Sequence, residues 1–142
     1  MLNILDAVFT TFTNDATLLA CFGLTPSSTI TQKTARFKKE QEPDSAVTSS
    51  VVPLLLMYPQ PGVGSTANWL IYKGKFALDI FASDLPRAMQ IGERAKKLLH
   101  GKRLPVTGMA AFDCFHVYET AFRTGITGVK GFRQWYDIDY EM

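Results

Sequence analysis

A chain of 142 residues is the size of one domain and can bury a core without disulfide or metal staples. Hydrophobic residues make up 46% and charged residues 20%, which excludes a disordered or collagen-like chain. The formal net charge of +2 comes from 15 Lys+Arg against 13 Asp+Glu, too even for charge alone to argue a nucleic-acid binder.

The opening LNILDAVFTTF places Leu2, Leu5, Phe9 and Phe12 at helical spacing, and Ile4 and Val8 widen the stripe. This predicts a short amphipathic helix. The start lacks basic residues and carries Asp6, so it does not read as a signal peptide. NDATLLACFG predicts a second helix, with Asp15 as N-cap, Leu18, Leu19 and Phe22 inward, and Gly23 just past the end. Residues 25–50 are rich in Ser and Thr and poor in apolar residues. Within them Lys33, Arg36, Lys38 and Lys39 precede Glu40, Glu42 and Asp44. This stretch reads as a polar arm or long loop, either solvated or ordered against a partner.

VVPLLLMY, 51–58, is a short apolar run broken by Pro53, which predicts a buried strand starting near an edge. PQPGVGSTAN reads as a Pro/Gly loop. WLIYKGKFALDIFAS is strand-like through Ser83, with Phe76, Leu78 and Ile80 on one side and Ala77, Asp79 and Phe81 on the other. Gly74 marks a bulge or turn. SDLPRAMQIGERAKKLLHG is the clearest helix, capped by Ser83 or Asp84, with Pro86 in the first turn and Gly101 as terminator. Its inner stripe is Leu85, Ala88, Ile91, Gly92, Ala95, Leu98 and Leu99. After the connector KRLPVTGMAA, FDCFHVYETAFR predicts a strand. Cys114, His116, Tyr118, Thr120 and Phe122 fall in one set; Phe115, Val117 and Ala121 fall in the other. FRQWYDIDYE alternates cleanly, with Phe132, Gln134, Tyr136, Ile138 and Tyr140 opposite Arg133, Trp135, Asp137, Asp139 and Glu141. The order predicts one α+β domain over 1–142. Its sheet is mostly antiparallel with about four strands, its helices pack on one face, and it ends in a long C-terminal β-hairpin.

Few constellations suggest chemistry. Gly125, Gly128 and Gly131 recur every three residues among Arg123, Lys130 and Arg133. A phosphate-binding glycine loop would open a helix, whereas this one is flanked by strand signals. It reads as a hairpin connection of about seven residues, with the glycines supplying positive φ and flexibility. GVGST, 62–66, lacks the lysine of a phosphate loop and reads as a turn. Asp137, Asp139 and Glu141 share one strand face, as a solvated, lumen-lining or docking surface. Cys114 and His116 lie two apart on a strand and could pair as a nucleophile and base, without a visible orienting acid. His100 and His116 fit no zinc spacing. Arg87, Arg94, Lys96, Lys97, Lys102 and Arg103 face only Glu93, as a solvated helix face or a phosphate-contacting stripe. Two distant cysteines, Cys21 and Cys114, make no disulfide framework, so a reduced, intracellular-type protein is expected. No apolar run is long enough for a membrane span.

KFALDIFASDLPRAMQIGERAKKLLHG resembles the middle of small tail terminator and tail-completion proteins of tailed bacteriophages. CFHVYETAFRTGITGVKGFRQWYDIDY is similar to their C-terminal strand, Gly-containing hairpin and last strand. LDAVFTTFTNDATLLACFG looks like their first helical pair, so the resemblance covers 1–22 and 51–141. It implies an α+β protomer that forms a ring, commonly a hexamer, at the head-proximal end of the tail tube. The ring stops tube polymerisation and provides the head attachment surface. Implied partners are further copies of the chain, the tail tube protein and a head-completion or connector protein, with DNA only as passing cargo and no membrane. The implied place is the virion tail or neck, after assembly in the host cytoplasm. The resemblance carries no catalytic, metal or cofactor residue. Ring contacts would use exposed anchors from Trp69, Trp135, Phe81 and Phe115. Arg123, Lys130 and Arg133, with Lys38 and Lys39, would be docking cations; Asp137, Asp139 and Glu141 would line a lumen or a docking face. Other readings are another neck or head–tail joining protein, a small enzyme using Cys114 and His116, and a nucleic-acid module using the 85–103 stripe.

Overall fold

Helix α1 (Leu2–Thr13) buries Ile4, Leu5, Val8 and Phe12, while Leu2 stays exposed at its start. The computed structural model describes residues 1–43 and 45–142; Asp44, counted above with the acidic residues of the polar stretch, lies outside the described residues. Helix α2 (Ala16–Cys21) begins at Asp15, whose carboxylate accepts the Leu18 N–H at 2.8 Å. It ends at Gly23, where φ is +72° and the next N–H, that of Leu24, donates back to the Leu19 carbonyl.

The polar stretch 25–50 is not wholly an arm. Thr29 and Gln32 form a reciprocal capping box that starts helix α3 (Ile30–Arg36). Strand β1 (Phe37–Lys38) follows and pairs in parallel with the next strand. Phe37 is buried, its ring 4.5 Å from that of Phe22 and 6.1 Å from that of Phe12. Phe37 therefore anchors the first part of the stretch on the main core, and buried Val47 anchors its end on the opposite face of the sheet.

Strand β2 (Leu54–Gly64) runs through the Pro/Gly segment that the composition predicts to be loop. It pairs with β3 (Ile71–Ala82), and the step from Gln60↔Lys75 to Val63↔Lys73 places one extra residue on β2. Pro59 and Pro61 are tolerated because β1 covers β2 only at Leu55 and Leu56, leaving an edge beyond. Gly74 marks that bulge from the partner strand, since it is the β3 residue between Lys75 and Lys73 that faces Pro61 and Gly62. It lies inside β3, where an added Cβ would come within 2.6 Å of the Tyr140 ring and 2.8 Å of the Ile138 carbonyl.

Helix α4 (Leu85–Leu99) is capped by Asp84 and stops before Gly101, whose φ is +70°. Ala88, Ile91, Gly92, Ala95 and Leu99 form its buried stripe. Strands β4 (Lys102–Arg103), β5 (Ala111–Phe122) and β6 (Lys130–Glu141) complete the sheet, in the order β1-β2-β3-β6-β5-β4. The architecture is α+β with six strands rather than about four. The four long strands are the expected ones and run antiparallel, and two two-residue strands border them, β1 in parallel.

The helix-side face of the sheet, with Leu55, Met57, Phe76, Leu78, Ile80, Tyr136 and Ile138, packs on Ile4, Val8, Phe12, Leu18, Ile91 and Leu99. A smaller cluster of Val47, Leu54, Leu56, Phe81 and Val129 forms at one end of the opposite face. The alternation expected for β5 breaks twice, first between Ala111 and Cys114, where one extra residue lies opposite β6, and again at Val117. His116 pairs with Tyr136 and Tyr118 with Trp135, so Val117 is the extra residue of a bulge. Cys114 and His116 keep the helix side, but Tyr118, Thr120 and Phe122 move to the opposite face, and Glu119 takes the helix side beside Gln134.

Candidate interaction surface

The hairpin connecting β5 and β6 spans residues 123–129, and Gly125 and Gly128 have φ of +72° and +78°, as a tight tip requires. Gly131 serves another purpose. It lies within β6 beneath Phe122, where an added Cβ would be 2.5 Å from the ring. The tip is not a free loop. The Thr124 hydroxyl donates to the Val129 carbonyl at 2.8 Å and accepts the Ile126 N–H at 3.1 Å, and Val129 and Ile126 pack on the smaller cluster.

The three cations of this segment differ in kind. Arg123 and Lys130 are exposed at the two ends of the tip, and neither makes an ion pair among the described residues. Arg133 is held inside the chain. Its guanidinium donates to both oxygens of buried Asp79, at 2.6 and 2.9 Å, and stacks 4.6 Å from the Phe122 ring. Tyr58 donates to the same carboxylate at 3.1 Å, and its phenol is pushed up to about 12, first by burial and then by the Asp79 charge. Arg133 therefore balances a buried carboxylate and is not a loose docking charge.

The acidic row follows β6 toward the other end of the hairpin. Asp137 pairs with Lys75 at 2.7 Å, Asp139 faces Lys73 in register without an ion pair among the described residues, and Glu141 lies opposite Ile71. Beside it, on the same side of the sheet, runs a half-exposed apolar row. Phe112 is 48% exposed, Phe115 49%, Val117 54% and Tyr118 57%, and the Tyr118 ring lies 4.8 Å from that of Trp135. Phe112, Asp113, Phe115, Asp137 and Asp139 enclose a cleft of about 360 Å³. The spacing of residues points to Phe115 and Trp135 but misses Phe112, Val117 and Tyr118. The available signal was that FDCFHVY carries apolar residues in both alternating sets, more than one covered face needs.

The other expected contact residues are dispersed. Trp69 is 77% exposed on the turn between β2 and β3, whereas Phe81 is buried against Phe122 and is no surface anchor. Lys39 pairs with Asp6 at 2.5 Å at the far edge of the sheet, next to half-buried Lys38. The basic stripe at 85–103 is largely matched by acids. Arg94 holds Asp15 with two bonds, Lys96 bridges Glu93 and Glu119, Arg87 lies near Asp84 and Arg103 near Asp113.

Cys114 and His116 are not arranged as nucleophile and base. Cys114 is fully buried, and burial, then the Asp137 charge, pushes its thiol up to about 12. The His116 ring meets Glu119 at 3.1 Å, and its backbone N–H donates to His100 Nδ1 at 2.9 Å. Burial opposes the ionised form of Glu119, but hydrogen bonds from Gln134 and Lys96 outweigh it and hold the carboxyl below its usual value. These groups knit α4 to β5 and β6. No helix of the described residues is long and apolar enough to cross a membrane.

No protein-family model matches the chain, and no curated protein does. Among solved structures, the fold is similar to a chain from the virion of a native gene transfer agent particle, with a TM-score of 0.66 at 14% identity. The likeness covers 97% of this chain and 94% of that one, so the whole architecture is shared.

Proposed function

We propose that this chain is a structural virion protein. In this reading it is the tail terminator, which forms a ring at the head-proximal end of a phage-type tail tube. The observation that carries the reading is the fold likeness to a chain of a gene transfer agent virion, which runs end to end in both chains. The half-exposed row Phe112, Phe115, Val117 and Tyr118 supports it, since an apolar face of this kind is ordinarily covered by a partner. Partners in this reading are further copies of the chain, probed first as a hexamer, the tube protein below the ring and a head-completion or connector protein above it. DNA passes through as cargo. The role is non-catalytic and needs no cofactor, consistent with a thiol at Cys114 that burial keeps protonated.

A second reading, another head–tail joining protein of the neck, rests on the same likeness and differs in what it does to the tube. The test is assembly of the tube protein encoded with this chain, with and without the purified chain, imaged by negative stain. A terminator yields tubes carrying a terminal ring that no longer elongate when more tube protein is added. Tubes that keep elongating, with no density at either end, would overturn the terminator reading. Tubes that keep elongating in the presence of the chain, and that join added heads only when it is present, would favour the neck reading.

A further inference from the structure

We infer that copies of this chain join head to tail, the cationic tip of one β5–β6 hairpin seating on the aromatic and acidic base of the next copy's hairpin. The inference deepens the ring reading above and rests on it for ring closure.

Three observations converge. The first is the edge of the sheet. β4 covers β5 only at Cys114 and Asp113, and His100 takes the His116 N–H; beyond that the backbone faces no strand on this side, and neither proline nor lysine blocks it. The opposite edge is managed differently, by β1 and then by Pro59 and Pro61. The second is the apolar row beside that open edge, with the cleft between Phe112 and Phe115. Two aromatic rings next to carboxylates suit an arginine or lysine side chain, which gains both ion pairing and cation–π attraction.

The third is charge. Asp139 lies on the cleft without an ion pair among the described residues, and Arg123 and Lys130 stand at the tip without one. The tip and the cleft lie at opposite ends of the same two strands. From Lys130 to Asp139 along the unbroken strand β6 is about 30 Å at strand rise, so one chain cannot bring its own tip to its own cleft. A two-fold pairing of clefts would set Asp137 and Asp139 against their own copies. The charges are satisfied when the tip of one copy meets the cleft of another, and a contact of that kind repeats around a ring.

The test uses purified full-length chain in sedimentation equilibrium at low salt. Wild type is expected to associate. Lys130→Glu alone and Asp139→Lys alone should each weaken association by at least about tenfold, with circular dichroism unchanged. Mixing the two variants should restore it, because the acidic tip of the first fits the basic cleft of the second, while the basic tip of the second still fits the acidic cleft of the first. The double variant should also associate. A wild type that stays monomeric, single variants that associate normally, or a mixture that fails to recover would each overturn the contact. The tube assay separates this inference from the functional one. Variants that cannot associate but still cap tubes leave the terminator reading standing and remove this contact. Rings that form through this contact but never cap tubes do the reverse.

Discussion

At the scale of single residues, Asp15 joins two parts of the chain that the sequence keeps 79 positions apart. Its carboxylate caps α2 and receives both arms of the Arg94 fork from α4. The Arg94 hydrogen bonds, against the opposing effect of burial and with help from the Leu18 N–H and the Arg94 charge, hold the carboxyl below its ordinary 3.8. A carboxyl lowered by folding binds its proton more readily when unfolded. Its contribution is therefore present above the ordinary value and is lost as pH falls through the lowered folded value. Asp15→Asn keeps a competent cap but removes the charge. It should lower stability in urea at pH 7 by about 1 kcal/mol, and the gap from wild type should close as pH falls below 3.8. A gap that stays constant into that acid range would show that the ion pair is not its source. The Asp15 cap was legible from the sequence because capping is local. Its partner was not, because Arg94 reads equally well as one more cation on a solvated helix face.

At the scale of elements, strand β1 and the β5 bulge illustrate two limits of reading periodicity. β1 has two residues and no period, and its one apolar side chain is outvoted by its polar neighbours. Burial of that single ring against Phe12 and Phe22 nevertheless fixes where the stretch crosses the sheet edge. Phe37→Ala should cost about 3–4 kcal/mol in urea unfolding, the usual penalty for emptying a buried aromatic site. A cost under about 1 kcal/mol would mean that 25–50 is an arm after all. The bulge at Val117 shifts every later side chain of β5 to the other face, so a clean count of two per step assigns Tyr118 inward and Glu119 outward, both reversed in the fold. Only the ladder against β6, whose own alternation is unbroken, reveals the slip.

At the scale of the whole molecule, the two faces of the sheet have different coverings. The helices seal one, and the other is closed at one end by the hairpin tip and left open at the end where Phe112 and Asp139 lie. The tip is thus a structural lid as well as a candidate contact. Replacing residues 123–129 by a two-residue Asn-Gly turn removes Val129 and Ile126 from the smaller cluster. It should lower stability by about 2 kcal/mol or more, from the apolar burial lost. An unchanged urea midpoint would show that the tip is a free loop whose glycines confer only flexibility.

What depends on neighbours in the chain was legible from the sequence: the helices α1, α2 and α4, the last two with their caps, the four long strands, and a seven-residue hairpin connection flanked by strands that opens no helix. These follow from spacing, caps and turn residues acting over a few positions. Tertiary structure alone decided which charges have partners. Arg133 and Arg123 are both cations of one hairpin, yet the fold brings Asp79 to the first and nothing described to the second. It also decided that the aromatics of β5 face outward, because a bulge and a short edge strand are defined only by the strand alongside.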